Sequence, residues 1–129
     1  PIQLDKAATD KDYDLAIIYC AENKIALCAG THNEESSFLL ANYMEENKLD
    51  KADSNFYFAQ LLGMSNHISF NLSKQGYNVA KYVPYGPVKE VIPYLIRRAE
   101  ENTSVAGQTS RELALISLEM KRRKLLKKA

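Results

Sequence analysis

The 129-residue chain carries 17 Lys and Arg against 16 Asp and Glu, a formal net charge of +1 at pH 7 that argues against an acidic partner drawn by overall charge. Its length suits one domain of ordinary size with room for a core, and no apolar run approaches the ~20 residues that cross a bilayer. Two histidines and two cysteines, scattered along the chain, do not make a zinc site.

Taken in chain order, Thr9 and Asp10 precede "KDYDLAIIYCAENK", where Ala16, Ile17, Tyr19 and Cys20 recur at helical spacing and either Thr9 or Asp10 can cap the helix. "IALCAG" (Ile25 to Gly30) then reads as a strand buried on both faces. Cys20 and Cys28 fall in apolar surroundings without a CxxC spacing, as reduced core residues of an intracellular protein would. "THN" follows, with Asn33 a good N-cap and Glu34 and Glu35 favoured in the first turn by the helix dipole. The helix it opens should bury Phe38, Leu39, Ala41 and Met44.

The pattern repeats. "NFYFAQLL" (Asn55 to Leu62) predicts a strand, "GMS" a loop with Met64 in the core, and "NHISFNLSKQG" a helix stopped by Gly76. "YNVAKYV" predicts a third strand and "PYGP" a turn, with Pro87 at the first helical position of the next helix. Pro93 lies inside that helix and predicts a kink or a tightened first turn. "NTSVAGQTS" reads as a polar linker, so the chain divides into 1–104 and a tail, 105–129, whose "RELALISLEMKRRKLLKKA" is a basic amphipathic helix.

Three successive strand–helix units imply an α/β fold with parallel strands covered by helices. Such folds build their sites from the loops after strand C-termini, here "THN", "GMS" and "PYGP". Neither GxGxxG nor GxxxxGK[ST] occurs, and no serine sits on a Gly-x-Ser-x-Gly elbow. Taken alone, the adjacent Arg97 and Arg98 read as a solvated face, because neighbours on a helix point ~100° apart. Were both to converge on one ligand, they would clamp a carboxylate through charge-assisted hydrogen bonds. His32 alone reads as a loop histidine, although a place beside a helix N-terminus also suits a phosphate. The basic tail can serve as a solvated helix, a membrane-surface contact or a docking element. Without aromatic residues among its charges it does not suit nucleic acid.

The strings "GTHN", "FYFAQLLGM" and "GYNVAKYVPYGPVKEVIPYLIRRAEENTS", in that order and spacing, resemble the C-terminal part of the proline dehydrogenase (proline oxidase) family, from the first helix through Ser104 and more loosely into the tail. The resemblance implies the C-terminal portion of a (βα)8 TIM-type barrel that holds FAD and oxidises L-proline to 1-pyrroline-5-carboxylate, passing electrons to a quinone. It implies that Arg97 and Arg98 bind the proline carboxylate and that Tyr82 packs against the proline ring. Thr31, His32 and Asn33 would contact FAD, Leu61 would lie beside the flavin, and Glu101 near the cofactor. The sister enzyme, hydroxyproline dehydrogenase, is similar as well; it tends to carry a smaller residue where Tyr82 stands, so the tyrosine favours proline.

A complete barrel of this kind takes about 250 residues, and the chain begins at Pro1 rather than Met. It is therefore expected either to be the C-terminal piece of a longer enzyme or to assemble with another chain that completes the sheet. As an isolated chain it is expected to be non-catalytic and prone to self-association through open strand edges. The resemblance places it in a bacterial cytoplasm or at the inner-membrane periphery, or in mitochondria if eukaryotic, with the basic C-terminal helix as a peripheral membrane contact.

Overall fold

The computed structural model describes residues 3, 5–104 and 108–126, with the surroundings of side chains described for 3, 5–100 and 113–125. Helix α1 (Lys6–Glu22) begins a turn earlier than a Thr9 or Asp10 cap would place it. Asp5 is the N-cap, its Oδ1 accepting from Ala8 N at 2.7 Å. Both residues expected to cap are inside the helix: Thr9 Oγ1 donates to Asp5 O at 3.1 Å, and Asp10 pairs with Lys6 one turn back. Ala7 and Ala8 favour helix strongly enough to extend it to the earlier cap. Of the predicted apolar face, Ile17 is buried, Tyr19 is exposed, and Ala21 joins the core.

Strand β1 (Leu27–Gly30) is shorter than expected and buried on one face only. Ala29 is buried while Cys28 and Gly30 are exposed. The helices of the first unit cover a single face of the sheet, so the continuous apolar run does not report two-sided burial within that unit. Correspondingly the cysteines are not core residues: Cys28 is exposed, Cys20 is half-buried, and both are free thiols.

Helix α2 (Glu34–Glu46) starts at Asn33 as the sequence predicts, with Asn33 Oδ1 accepting from Glu35 N at 3.0 Å and both glutamates in the first turn. Its inward stripe is Ser36, Ser37, Leu40, Ala41 and Met44, leaving Leu39 half-buried and Phe38 54% exposed. The two serines are small enough to let the helix rotate toward the sheet on that side. Strand β2 (Phe56–Leu61), helix α3 (Asn66–Lys74) and strand β3 (Val79–Tyr82) follow in the predicted order. Met64 is half-buried rather than core.

One turn chemistry recurs at every helix-to-strand passage. After α1, Lys24 N donates to Ala21 O and Ile25 N to Cys20 O; after α2, Lys48 N donates to Glu45 O and Leu49 N to Met44 O; after α3, Gly76 N donates to Ser73 O and Tyr77 N to Leu72 O. These are Schellman closures, which need a left-handed residue just past the helix. Gly76 supplies it at φ +94°, whereas Lys24 and Lys48 adopt φ +54° at a steric cost.

The strands form one parallel sheet of order β1-β2-β3, pairing Gly30 with Ala59, Ala59 with Ala80, and Leu61 with Tyr82. The core lies on the helix-covered face, where Ile17 and Ala21 of α1, Leu40 and Met44 of α2, and Ile68 and Leu72 of α3 meet Ala29, Phe56 and Phe58. Phe58 packs edge-on to Tyr77, with ring centroids 5.5 Å apart. Full burial of such a side chain is worth about 1.5–3 kcal/mol. β1 and β3 are the sheet edges among the described residues.

Residues Pro1–Val83 make one compact unit and Pro84–Ala129 a second. In the second, helix α4 (Val88–Ser104) starts one residue later than a Pro87 opening, and the Pro87 carbonyl accepts from Glu90 N and Val91 N at 2.9 and 3.1 Å. Pro87 therefore occupies the capping position, where its fixed φ still suits the helix start. Pro93 lies within the helix, where its missing N–H removes the bond to the Lys89 carbonyl. The expected linker is helical at both ends, since α4 runs to Ser104 and α5 (Gln108–Leu126) begins at Gln108; residues 105–107 lie outside the described ones. On α5, Leu113, Ile116 and Met120 recur at helical spacing and are exposed, while Glu119 pairs with both Arg122 and Arg123. Among the described residues no helix is long and apolar enough to cross a membrane.

Candidate functional site

All three strands of the first unit run parallel and finish at the same end of the sheet, so the loops after β1, β2 and β3 are neighbours by topology. The first is wound tightly. Thr31 N donates to Ala29 O at 3.2 Å, and Thr31 Oγ1 accepts from Asn33 N at 3.0 Å. Asn33 then caps α2, so Thr31, His32 and Asn33 lie between a strand end and a helix N-terminus, a place whose partial positive charge favours acceptor groups.

A buried polar chain joins this loop to the second one. Gln60 is 2% exposed and sits in β2, where an unpaired amide would be costly. Its Nε2 donates to Thr31 O at 3.3 Å, and its Oε1 accepts from Ser69 Oγ at 2.7 Å. Ser69 Oγ also reaches Ser65 O at 3.3 Å, and Ser65 Oγ meets His32 Nδ1 at 2.9 Å. Ser65 is 1% exposed and left-handed at φ +48°, a conformation that costs a serine about 1 kcal/mol. It stands at the N-cap of α3 yet makes no side-chain capping bond. The third strand is tied in by Lys81, whose Nζ donates to Met64 O at 2.7 Å, and by Leu62 N donating to Tyr82 O at 2.9 Å.

The face of the sheet that no helix of the first unit covers carries the other predicted residues. By strand alternation, Cys28, Gly30, Tyr57, Ala59, Leu61, Ala80 and Tyr82 share that face. Gly30, Ala59 and Ala80 form one rung of small residues, and a side chain at Gly30 would meet nothing within 4 Å. One step toward the strand ends stand Leu61, 8% exposed and outside the helix-side core, and Tyr82, 55% exposed. Together they give a flat floor of small residues with an aliphatic and an aromatic side chain at its upper edge.

The structure thus brings Thr31, His32, Asn33, Leu61 and Tyr82 to one end of the first unit. Arg97 and Arg98 belong to α4 of the second unit. Arg97 is exposed; Arg98 is half-buried, with its guanidinium carbon 5.3 Å from the centre of the Tyr94 ring one turn back. That cation–π contact fixes one of the two arginines against its own helix. The side chain of Glu101 lies outside the described residues. Sequence reasoning missed Gln60, Ser65, Ser69 and Lys81. The available signal was the single amide in the apolar run "FYFAQLL", since a polar residue there demands buried partners.

A separate groove of about 40 Å³ lies between α2 and α3, lined by Glu34, Phe38, His67 and Asn71. It has room for a water molecule or so, not for a substrate.

The proline dehydrogenase family model matches residues 1–111. Mitochondrial proline dehydrogenase 1 of Bos taurus is 44% identical over 128 residues, covering 95% of this chain and 22% of that protein, and its Homo sapiens counterpart is 45% identical over 128 residues, covering 95% and 21%. Hydroxyproline dehydrogenase of Xenopus laevis is 42% identical over 129 residues, covering 95% of this chain and 28% of its own length. The chain accordingly spans about a fifth to a quarter of the length of these relatives. No solved structure gives a significant match. With a family match across residues 1–111 of its 129, the chain belongs to the proline dehydrogenase family.

Proposed function

We propose that this chain forms the last strand–helix units of a (βα)8 barrel in an FAD-dependent proline dehydrogenase, which oxidises L-proline to 1-pyrroline-5-carboxylate. The observation that carries the reading is the convergence of Thr31, His32, Asn33, Leu61 and Tyr82 at one end of a parallel sheet, in a chain of this family. Their chemistry fits a flavin nucleotide. The rung of Gly30, Ala59 and Ala80 leaves space for a flat ring system, and the polar loop at the N-terminus of α2 suits acceptor oxygens. When bound, FAD supplies the hydride acceptor for the substrate carbon.

The remaining work falls to side chains. Arg97 and Arg98 hold the substrate carboxylate, fixing the donor carbon relative to its acceptor. Tyr82, largely exposed at the end of β3, covers the substrate ring, and Leu61 lies beside the flavin. Glu101 stands near the cofactor. The exposed apolar positions and basic end of α5 make it the surface that meets a membrane holding the quinone acceptor. The curated relatives named mitochondrial support the mitochondrion as the site of action in a eukaryote.

A hydroxyproline substrate is the second reading, favoured by the Xenopus laevis relative, whose 42% identity differs little from the 44% of the Bos taurus protein. Tyr82 tips the balance toward proline, because a bulky ring leaves less room for a substrate hydroxyl. The 129-residue chain by itself is a non-catalytic, self-associating piece, given the edges of β1 and β3. The test compares two proteins. The full-length protein that includes this chain should purify yellow and reduce a dye when proline is added, while the 129-residue chain should be colourless and inert. A full-length protein with no flavin absorbance would falsify the reading.

A further inference from the structure

We propose that Ser65 is a positioning residue that locks His32 in the tautomer carrying its proton on Nε2, so that His32 meets the flavin nucleotide as a hydrogen-bond donor. The inference rests on the reading of His32 as a cofactor contact and assigns the polarity of that contact.

Ser65 is 1% exposed, so its hydroxyl proton must find an acceptor within the protein. A serine at an N-cap ordinarily accepts a bond from the first turn of its helix, but Ser65 makes no such bond, and among the described residues its hydroxyl oxygen meets one partner, His32 Nδ1, at 2.9 Å. Were Nδ1 the protonated nitrogen, it would donate to Ser65 Oγ and leave the hydroxyl proton buried with no acceptor. The arrangement that satisfies both groups has Ser65 O–H donating to a bare Nδ1, which places the ring proton on Nε2. The group His32 faces on a ligand is then an acceptor: a phosphate oxygen, a carbonyl oxygen or an unprotonated ring nitrogen.

The backbone supports this assignment independently. Ser65 holds a left-handed φ of +48° that favours glycine, and it gives up helix capping. Both concessions aim its hydroxyl across from the second strand-end loop to the first. The carbonyl of the same residue accepts from Ser69 Oγ at 3.3 Å, and Ser69 is held by Gln60, which also reaches Thr31 O. Ser65 is therefore fixed from behind by a buried chain that ends on the residue preceding His32.

The test is a long-range ¹H–¹⁵N correlation spectrum of the chain labelled with [¹⁵N]histidine, with His67→Gln used to assign the two rings. The expected spectrum shows His32 Nδ1 as an unprotonated nitrogen and Nε2 as a protonated one. A protonated Nδ1 in the neutral ring overturns the proposal. Ser65→Gly relieves the left-handed strain, so it keeps the fold while removing the hydroxyl; its His32 should populate both tautomers, and an unchanged single tautomer would show that something else sets the ring. In the full-length protein, Ser65→Gly should weaken flavin retention roughly tenfold, as loss of one orienting partner does, with the flavin absorbance of the purified protein as readout. If the tautomer is as assigned but His32→Ala retains flavin as the unaltered protein does, the cofactor role of His32 fails and the donor assignment toward flavin fails with it. Loss of flavin in His32→Ala together with full retention in Ser65→Gly overturns Ser65 alone.

Discussion

Leu61 and Tyr82 are partners across β2 and β3, on the last rung of the sheet and on the face that no helix of the first unit covers. A strand's side chains alternate with a period of two, so a slip of one residue in this pairing would turn Tyr82 into the helix-side core and bring Lys81 out in its place. Two ties hold the register: Leu62 N donates to Tyr82 O, and Lys81 Nζ donates to Met64 O, each within 2.9 Å.

Tyr82 should set the choice of ring. In the full-length protein, Tyr82→Ser is expected to raise the ratio of kcat/KM for hydroxyproline over proline by roughly tenfold or more, because a site given room and a polar group discriminates strongly at one atom. Steady-state kinetics with both substrates measure it; an unchanged ratio removes Tyr82 from the substrate pocket.

The arginine pair should fail differently from a charge patch. Arg97→Lys and Arg98→Lys keep the charge and lose the planar fork, so each is expected to raise KM for proline by about tenfold or more. Arg98 also loses its stacking on Tyr94, so Tyr94→Leu should reproduce part of its defect. Equal activity of the lysine variants in steady-state assays would reduce the pair to a solvated face.

Gln60 should be a stability residue as much as a site residue. Gln60→Leu leaves Thr31 O and Ser69 Oγ short of a partner in a buried setting, and is expected to cost about 1–3 kcal/mol. Urea unfolding of the chain measures it. Ser69→Ala on top of Gln60→Leu should add little, since the two belong to one network.

The left-handed turns offer a gain. Lys24→Gly and Lys48→Gly remove side-chain strain at φ +54° and should each stabilise the chain by about 0.5–1 kcal/mol. Gly76→Ala should destabilise it by about 1 kcal/mol, and since a Cβ at Gly76 would meet nothing within 4 Å the loss would be purely a backbone effect. Thermal melts of the three variants decide it.

Glu119 should titrate far below an ordinary glutamate. Hydrogen bonds from Arg122, then Arg123, lower its pKa from 4.5 to about 2. A depressed carboxyl pKa contributes stability that is fully present above the unfolded value and disappears as pH falls through the folded one. The ion pairs of α5 should therefore persist down to pH 4.5 and be lost toward about pH 2. Carboxyl ¹³C titration by NMR measures the midpoint, which Arg122→Gln or high salt should raise.

Much of this protein could be read from its residues. The order of the first three strand–helix units, the Asn33 cap and the Gly76 stop follow from local chemistry: apolar runs, a side chain that accepts from the first turn, and a residue free to turn left-handed. Local signals failed where two candidates were equivalent, as with the caps of α1, where Asp5 took the place expected of Thr9 or Asp10. They failed again where burial depended on what lies across the chain. Nothing in "IALCAG" distinguishes a strand covered on both faces from one covered on a single face, so Cys28 was expected inside and is exposed. The inward stripe of α2 likewise turned away from Phe38, because it answers to the sheet as well as to the helix period.

The sequence by itself determined the family, the parallel α/β units and which loops carry the candidate site, since all three are properties of residue order and spacing. Only the tertiary structure decided that Ser65 meets His32, that Gln60 ties Thr31 to Ser69, and that Leu61 stands beside Tyr82. Those pairs lie 33, 29, 9 and 21 positions apart in the chain. No periodicity reaches across such separations; sheet register and buried hydrogen-bond demand do.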